Sequence, residues 1–472
     1  MPKNRKRNGE LVDGWFMRKK KNIPSLNESI FYCIERSTKY QCPAAYGVSN
    51  TTGAVRLIRP HINHEKDKLA NNVNLGRQHL KENANSGTVR EVIDDMRFTF
   101  GTDTSMMMGD YNAKRRLVHY EKSQSNSEKK LIDSGGKIKG QFAETMRKTR
   151  FLLFDEEVNG KRMIAFASDE GLEILSNGNV CFVDGTFDSA PKSFTQLFSI
   201  HCYISEDVVR PVFFCLLPDK TLTTYTSMLT LLKNRPELTN WAPAMIICDF
   251  ETAIHSAFKD KFPNVVISGC LFHLVQSWRR QAEKLNVYNS FVDGEFEEFW
   301  QLLKTLPFLD EFDIPDYFDA ILEHCVPLVI SPDMKNYINY LVKNYVGDAA
   351  PPRFQPRLWS CAVRTASNIH RTTNTVETWH RLLQSVATMH NGFSSIKLSD
   401  LLEKLQKEER HTYLDYNELK VNPNFLVNKA RKTSNVMKDK KLKNVIENIP
   451  VIPRAPLSGI AYLKAIFYAK KT

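Results

Sequence analysis

The clearest hydrophobic pattern lies between Thr149 and Cys270, where short apolar runs alternate with polar turns and amphipathic stretches. Asn179–Phe187 (NVCFVDGTF) and Ala244–Asp249 (AMIICD) are near-continuous runs of strand formers, each reaching a carboxylate. A strand buried on both faces reads this way. The first run predicts a strand ending at Asp184 with a turn at Gly185, the second a strand ending at Asp249. RFLLFDEEV, KRMIAFAS, FTQLFSIHCYI, PVFFCLLP and VVISGC read as further strands; FTQLFSIHCYI and PVFFCLLP are joined by the acidic turn 205–207. DEGLEIL, TTYTSMLTLLKN and FETAIHSAF read as helices. Three antiparallel strands followed by alternating helix and strand predict an α/β fold, a mixed sheet with helices on its faces in the order of a ribonuclease-H-like core.

The flanks carry other periods. Residues 274–370 are acidic and amphipathic at helical spacing, which predicts an all-helical insertion with Phe299, Trp300, Tyr317 and Phe318 in its core. A further helix is predicted from near Asn374, with Thr373 or Asn374 as N-cap and Glu377 in its first turns. Residues 66–150 read as helical, with polar Ser123–Gly140 as a linker. Short β-like pieces fill 23–65, and 1–22 is basic without pattern. The resulting division is a basic arm (1–22), a small β-rich module (23–65), a helical connector able to meet DNA (66–148), the first part of the core (149–280), the insertion (281–370), the core's completion (371–412) and a basic tail (413–472).

Composition adds a partner. The chain has 472 residues, 42% hydrophobic and 25% charged, which fits a globular protein. No apolar run nears the roughly 18 residues a membrane span needs. The N-terminus lacks the apolar segment of a secretory signal, so the expectation is an intracellular protein without a membrane partner. The net charge of +12 is concentrated at the ends, with 14 Lys and Arg against 6 acids in residues 1–70 and 15 against 7 in residues 401–472. Basic ends around an acidic middle suit a polyanion. Arg5, Lys6 and Arg7, with Arg18, Lys19, Lys20 and Lys21, form two clusters that read as DNA contacts, as a nuclear address, or as solvated arms.

Two constellations carry candidate chemistry. Cys33, Cys42, His61 and His64, with eight, eighteen and two residues between them, make a full tetrahedral zinc set in a segment too small to fold without help. The spacing also permits two unrelated cysteines and two surface histidines. Asp184, Asp249 and Glu377 are the second set. Carboxylates at the ends of adjacent strands repel unless a cation neutralises them, and Mg²⁺ (or Mn²⁺) prefers oxygen ligands. Two such ions suit phosphodiester chemistry. Taken singly, each acid also reads as a turn residue, an N-cap or a favourable charge near a helix start. Cys270 and His273 form a C-x-x-H pair, too few ligands for a closed zinc site.

Two resemblances sharpen these readings. Phe31-Tyr32-Cys33, then Cys42 and Ala44 and a late histidine pair, resemble the FLYWCH-type zinc finger, a β-rich DNA-binding module. That family usually closes with His-x-His and has Trp where Tyr32 stands; here two residues separate His61 from His64. From Asn179 to Leu383 the chain resembles the transposase domain of Mutator-like elements (MULEs), on VDGTF, CDFETA before Phe262-Pro263, GCLFHLVQSW, Trp359, and RTTNTVETWHRLL with Thr373 and Thr378 in place of Asn and Gly. The resemblance implies a nuclear DNA transposase in which Asp184, Asp249 and Glu377 bind Mg²⁺ as the catalytic triad, with Cys270, His273 and His380 as auxiliary residues. It further implies binding to double-stranded DNA (terminal inverted repeats and target) and a homo-oligomer in the DNA complex. A domesticated, non-catalytic DNA-binding regulator on the same fold is the alternative, and a structure-specific nuclease is a third reading.

Overall fold

The computed structural model describes residues 10–65, 68–187, 189–205, 208–292, 294–327, 329–371, 376, 378–380, 396–425, 433–447 and 456–471. They form a mixed α/β protein of two compact units, residues 1–130 and 131–472.

The first unit opens with a five-stranded antiparallel meander: β1 (Glu10–Val12), β2 (Trp15–Ile23), β3 (Glu28–Cys33), β4 (Ala45–Ser49) and β5 (Val55–Arg59). Asp13 (φ 48°) and Gly14 (φ 74°) both take the left-handed conformation that lets a two-residue turn follow the strand twist. Residues 10–22, grouped by sequence with a patternless basic arm, therefore supply two strands, and the missed signal is the Asp-Gly dipeptide. One face of the sheet buries Val12, Met17, Phe31 and Tyr46 beside Cys33 and Cys42. Three helices follow, α1 (Lys68–Glu82), α2 (Val89–Met107) and α3 (Tyr111–Asp133). Leu80, Val92, Ile93, Met96 and Val118 form their core. α2 starts at a reciprocal Thr88–Glu91 capping box. Most of the stretch read as a linker, from Ser123 to Asp133, is the last part of α3. It contains no glycine or proline to stop a helix; the stop comes at Gly135 (φ 94°), after which the Gly136 N–H bonds back to the Leu131 carbonyl at 2.9 Å.

The second unit holds a seven-stranded mixed sheet built from β6 (Leu152–Val158), β7 (Lys161–Phe166), β8 (Val180–Thr186), β9 (Gln196–Ser205), β10 (Val208–Leu217), β11 (Met245–Cys248) and β12 (Val266–Gly269). Their spatial order is β12-β11-β8-β9-β10-β7-β6. β8, β9 and β10 run antiparallel, while β11 and β12 run parallel to β8. Alternation along β8 sends Cys181 and Val183 to one face and Phe182 and Asp184 to the other. The first face is covered by α4 (Asp169–Ser176), α5 (Leu222–Lys233) and α6 (Thr252–Lys261), through Leu172, Leu175, Met228, Leu229, Ala257 and Phe258. The turn expected at Gly185 is not there. β8 continues through Gly185 to Thr186, which pairs with Leu197.

After α7 (Leu271–Lys284) the described residues form helices joined by loops. Phe299, Trp300, Phe318 and Tyr337 are buried in a second core with Trp278 and Trp359. Leu442, Ile446, Leu463 and Ile466 are buried in the same core. Charge alone concealed this apolar stripe in the basic C-terminal segment. Among the described residues no helix is long and apolar enough to cross a membrane.

Candidate active site and metal centre

Phe182 of β8 and Ile247 of β11 are register partners on parallel strands. Asp184 lies two residues further along β8, and Asp249 is the first residue after β11, which ends at Cys248 rather than at the acid, so both follow the last paired residues of two strands that are about 5 Å apart. Asp184 is 8% exposed. Burial, and next the negative charge of Asp184, push the Asp249 carboxyl above the usual carboxylate range. Among the described residues neither acid forms an ion pair with a lysine or arginine; the recorded partner is His380, whose Nδ1 lies 3.3 Å from Asp184 Oδ2. Asp184 is buried and Asp249 half-buried, and their carboxylates are hard oxygen donors of the type divalent cations take.

The backbone fixes both carboxylates. Asp184 Oδ1 accepts from the Gly185 N–H (2.9 Å) and Asp249 Oδ1 from the Glu251 N–H (3.1 Å). Asp249 is not the N-cap of α6; Glu251 holds that position. His255 Nε2 meets the Asp249 carbonyl at 2.8 Å. Cys270 is the buried N-cap of α7, with its N–H on the Cys248 carbonyl (2.7 Å), and His273 in the first turn bears electrostatically on Asp249. His380 Nε2 faces Ser199 Oγ at 3.4 Å, and Ser199 Oγ meets His201 Nε2 at 3.0 Å. Burial holds His201 neutral, its pKa well below the usual histidine value.

Glu377 lies outside the described residues. Its neighbours are placed: Val376 is buried against Phe182 and Ile247, one step before the two acids on the same face, and His380 touches Asp184.

Several residues escaped the sequence reading. Glu251 is a third nearby acid, raised in pKa first by its burial; the Tyr225 hydroxyl donates to it (2.9 Å), and the Gln196 amide donates to Tyr225 (2.6 Å). That chain explains the glycine of VDGTF, because a Cβ on Gly185 would overlap Gln196 Oε1. The only sequence signal for Glu251 is its position two residues after Asp249.

In the first unit Cys33, Cys42, His61 and His64 converge, with all four donor atoms within 4.8 Å of one another. Cys33 Sγ–His64 Nε2 and Cys42 Sγ–His61 Nδ1 are each 3.4 Å, and His61 Nδ1–His64 Nε2 is 3.3 Å. A tetrahedral zinc with Zn–S of about 2.3 Å and Zn–N of about 2.0 Å sets edges of about 3.5 Å for S···N and about 3.3 Å for N···N. The donor set fits zinc in identity and in spacing. Burial pushes the Cys33 thiol up to about 11, and the Glu35 N–H, at 3.4 Å, points at its sulfur. Trp15 stacks on the His61 ring with centroids 3.5 Å apart, an orienting contact missing from the sequence reading. The cations Arg18–Lys21 lie on β2, while Arg5, Lys6 and Arg7 lie outside the described residues.

Residues 180–277 match the family model of the MULE transposase domain. No curated protein matches the chain. The matched stretch starts at the first residue of β8 and ends within α7, so it contains Asp184, Asp249, Cys270 and His273. It supports a transposase-family function and, in general terms, a nuclease or transposase enzyme that binds DNA.

Proposed function

We propose that the chain is a DNA transposase of the Mutator-like class, which binds the terminal inverted repeats of its element and performs Mg²⁺-dependent strand cleavage and strand transfer. What supports this reading is the pair Asp184 and Asp249, each just past the Phe182–Ile247 pair of adjacent parallel strands, in a β12-β11-β8-β9-β10 order that we read as a ribonuclease-H-like core. Asp184 and Asp249, with Glu377 as third acid, would hold Mg²⁺ or Mn²⁺. Bound there, the metal supplies activation of the attacking hydroxyl and stabilisation of the leaving 3′-oxygen. His380 lies against one Asp184 oxygen and the Gly185 N–H against the other, which together fix the carboxylate's orientation. His273 favours the ionised form of Asp249. Tyr225 holds Glu251 by its Oε1. The cysteine–histidine centre is read as a FLYWCH-type zinc finger that, with the basic residues, holds the repeats through phosphate and base contacts. The nucleus is the matching compartment, and paired element ends call for more than one copy of the chain.

The test is strand cleavage of a duplex carrying the element's repeats in Mg²⁺ or Mn²⁺, comparing wild type with Asp249→Ala and Glu377→Gln. Cleavage by wild type alone supports the reading. DNA binding without cleavage by any of the three would replace it with a non-catalytic regulator.

A further inference from the structure

The register of the five-stranded sheet sorts its basic residues by face. Arg18, Tyr32, Ala45 and Arg59 are aligned across β2, β3, β4 and β5. Next along the strands comes the row Lys21, Ile30, Gly47 and Arg56. Both rows lie on the side opposite the cluster around Cys33 and Cys42, with Ile30 and Ala45 buried and the four cations exposed. Between them on the opposite side runs Lys19, Phe31, Tyr46 and Leu57, the side that carries the buried cluster, and Lys20 falls in the bulge of β2. The run Arg18–Lys21 therefore does not act as one patch. Arg18 and Lys21 share a face with two cations from β5 that lie about forty residues away in the chain.

That face has a definite layout. Arg18, Lys21, Arg56 and Arg59 are exposed. Arg36 adds a fifth cation, its guanidinium 4.4 Å from the centre of the Tyr32 ring. Among the strand residues of this face the one anion is Glu28, paired with Arg56 at 2.6 Å across Gly47. The cations stand at two margins three strand spacings apart, about 14 Å, with rows about 7 Å apart along the strands. Between the margins Ile30, Ala45 and Gly47 are buried, with the Glu28–Arg56 pair lying over Gly47. The major groove of duplex DNA is about 12 Å wide, so cations at this separation reach the phosphates on both of its banks.

We propose that this outer sheet face, with Arg18, Lys21, Arg56 and Arg59 on its two margins, is the surface that meets the duplex DNA backbone. The proposal rests on the reading that the finger binds DNA, and it names the face and adds the two β5 arginines.

The test is fluorescence anisotropy of the full-length, zinc-loaded protein on a random-sequence DNA duplex of about two helical turns, titrated over a range of salt. Each of Arg18→Gln and Arg59→Gln should weaken binding roughly 3- to 10-fold and lower the slope of log K against log salt by about 0.9, the value of one phosphate contact. Lys335→Gln makes the same charge change at an exposed site of the helical insertion and should leave the slope in place; unchanged zinc content and melting temperature show that the variants fold. Equal losses from Lys19→Gln and Arg18→Gln, or an unchanged slope in Arg59→Gln, overturn the face while leaving DNA binding intact. A wild-type protein that ignores the duplex, or prefers single-stranded RNA, overturns both the face and the reading beneath it.

Discussion

Replacing Asp249 with asparagine should stabilise the metal-free protein at neutral pH and abolish its stabilisation by Mg²⁺. Asp184 and Asp249 follow the paired residues Phe182 and Ile247 of neighbouring parallel strands, and a separation of about 5 Å, the spacing of the strands, is taken for their charges. At an effective dielectric of about 20 this repulsion is about 3 kcal/mol, and water entering the site reduces it toward 1 kcal/mol. The raised Asp249 carboxyl gives the sign. A carboxyl raised on folding contributes stability that is complete below its unfolded pKa of about 4 and is lost as pH rises through the folded value. Wild type and Asp249→Asn should thus melt alike in acid and diverge above the carboxylate range, with the variant a few degrees more stable in EDTA at neutral pH. Mg²⁺ at about 100 times its dissociation constant should then raise wild type by about 2.7 kcal/mol and the variant by much less. Calorimetric melts across pH, with EDTA and with Mg²⁺, measure both effects. A variant less stable than wild type in EDTA at neutral pH, or equal Mg²⁺ stabilisation of both proteins, would refute the shared cation site.

Other residues give independent tests. Chelation should remove about one zinc per chain, read by metal analysis, and should unfold the sheet holding Cys33 and Cys42 in far-UV circular dichroism, since such sites supply folding energy directly; Cys42→Ser should bind no zinc there. Arg147 links Glu170 and Glu409 at 2.8 Å each and lies over Tyr413, so Arg147→Met should cost about 3 kcal/mol in denaturant melts by stranding buried Glu409, and adding Glu409→Gln should recover part of it. Gly185→Ala should destabilise by about 1–3 kcal/mol through overlap with Gln196 and should also disturb the Tyr225–Glu251 bond, visible as a shift of the tyrosine ultraviolet absorbance.

Some features were legible because they repeat locally. NVCFVDGTF and AMIICD announce strands with acids because burial on both faces leaves an unbroken apolar run. The helical aromatics Phe299, Trp300 and Phe318 announce a core by their 3.6-residue period. Cys33, Cys42, His61 and His64 stood out by residue type, although only the fold brings their donors to within 4.8 Å. The errors have equally local causes. Gly185 resembled a turn because its packing against Gln196 depends on a neighbouring strand. Residues 413–472 resembled a basic tail because their positive charge outweighed a sparse stripe of Leu442, Ile446, Leu463 and Ile466.

The sequence alone determined which residue types were at hand: buried strands that carry acids, a metal-ligand quartet, and cations gathered at the ends. Register was decided by the tertiary structure. Sixty-four residues lie between Asp184 and Asp249, and no local pattern says that Phe182 pairs with Ile247 and so brings together the strand ends that carry the two acids. The same holds for Arg18 and Arg59, which share a face only because β3 and β4 lie between them in one alignment. A one-residue slip would send every side chain of a strand to its other face, so that choice belongs to the summed packing of the sheet.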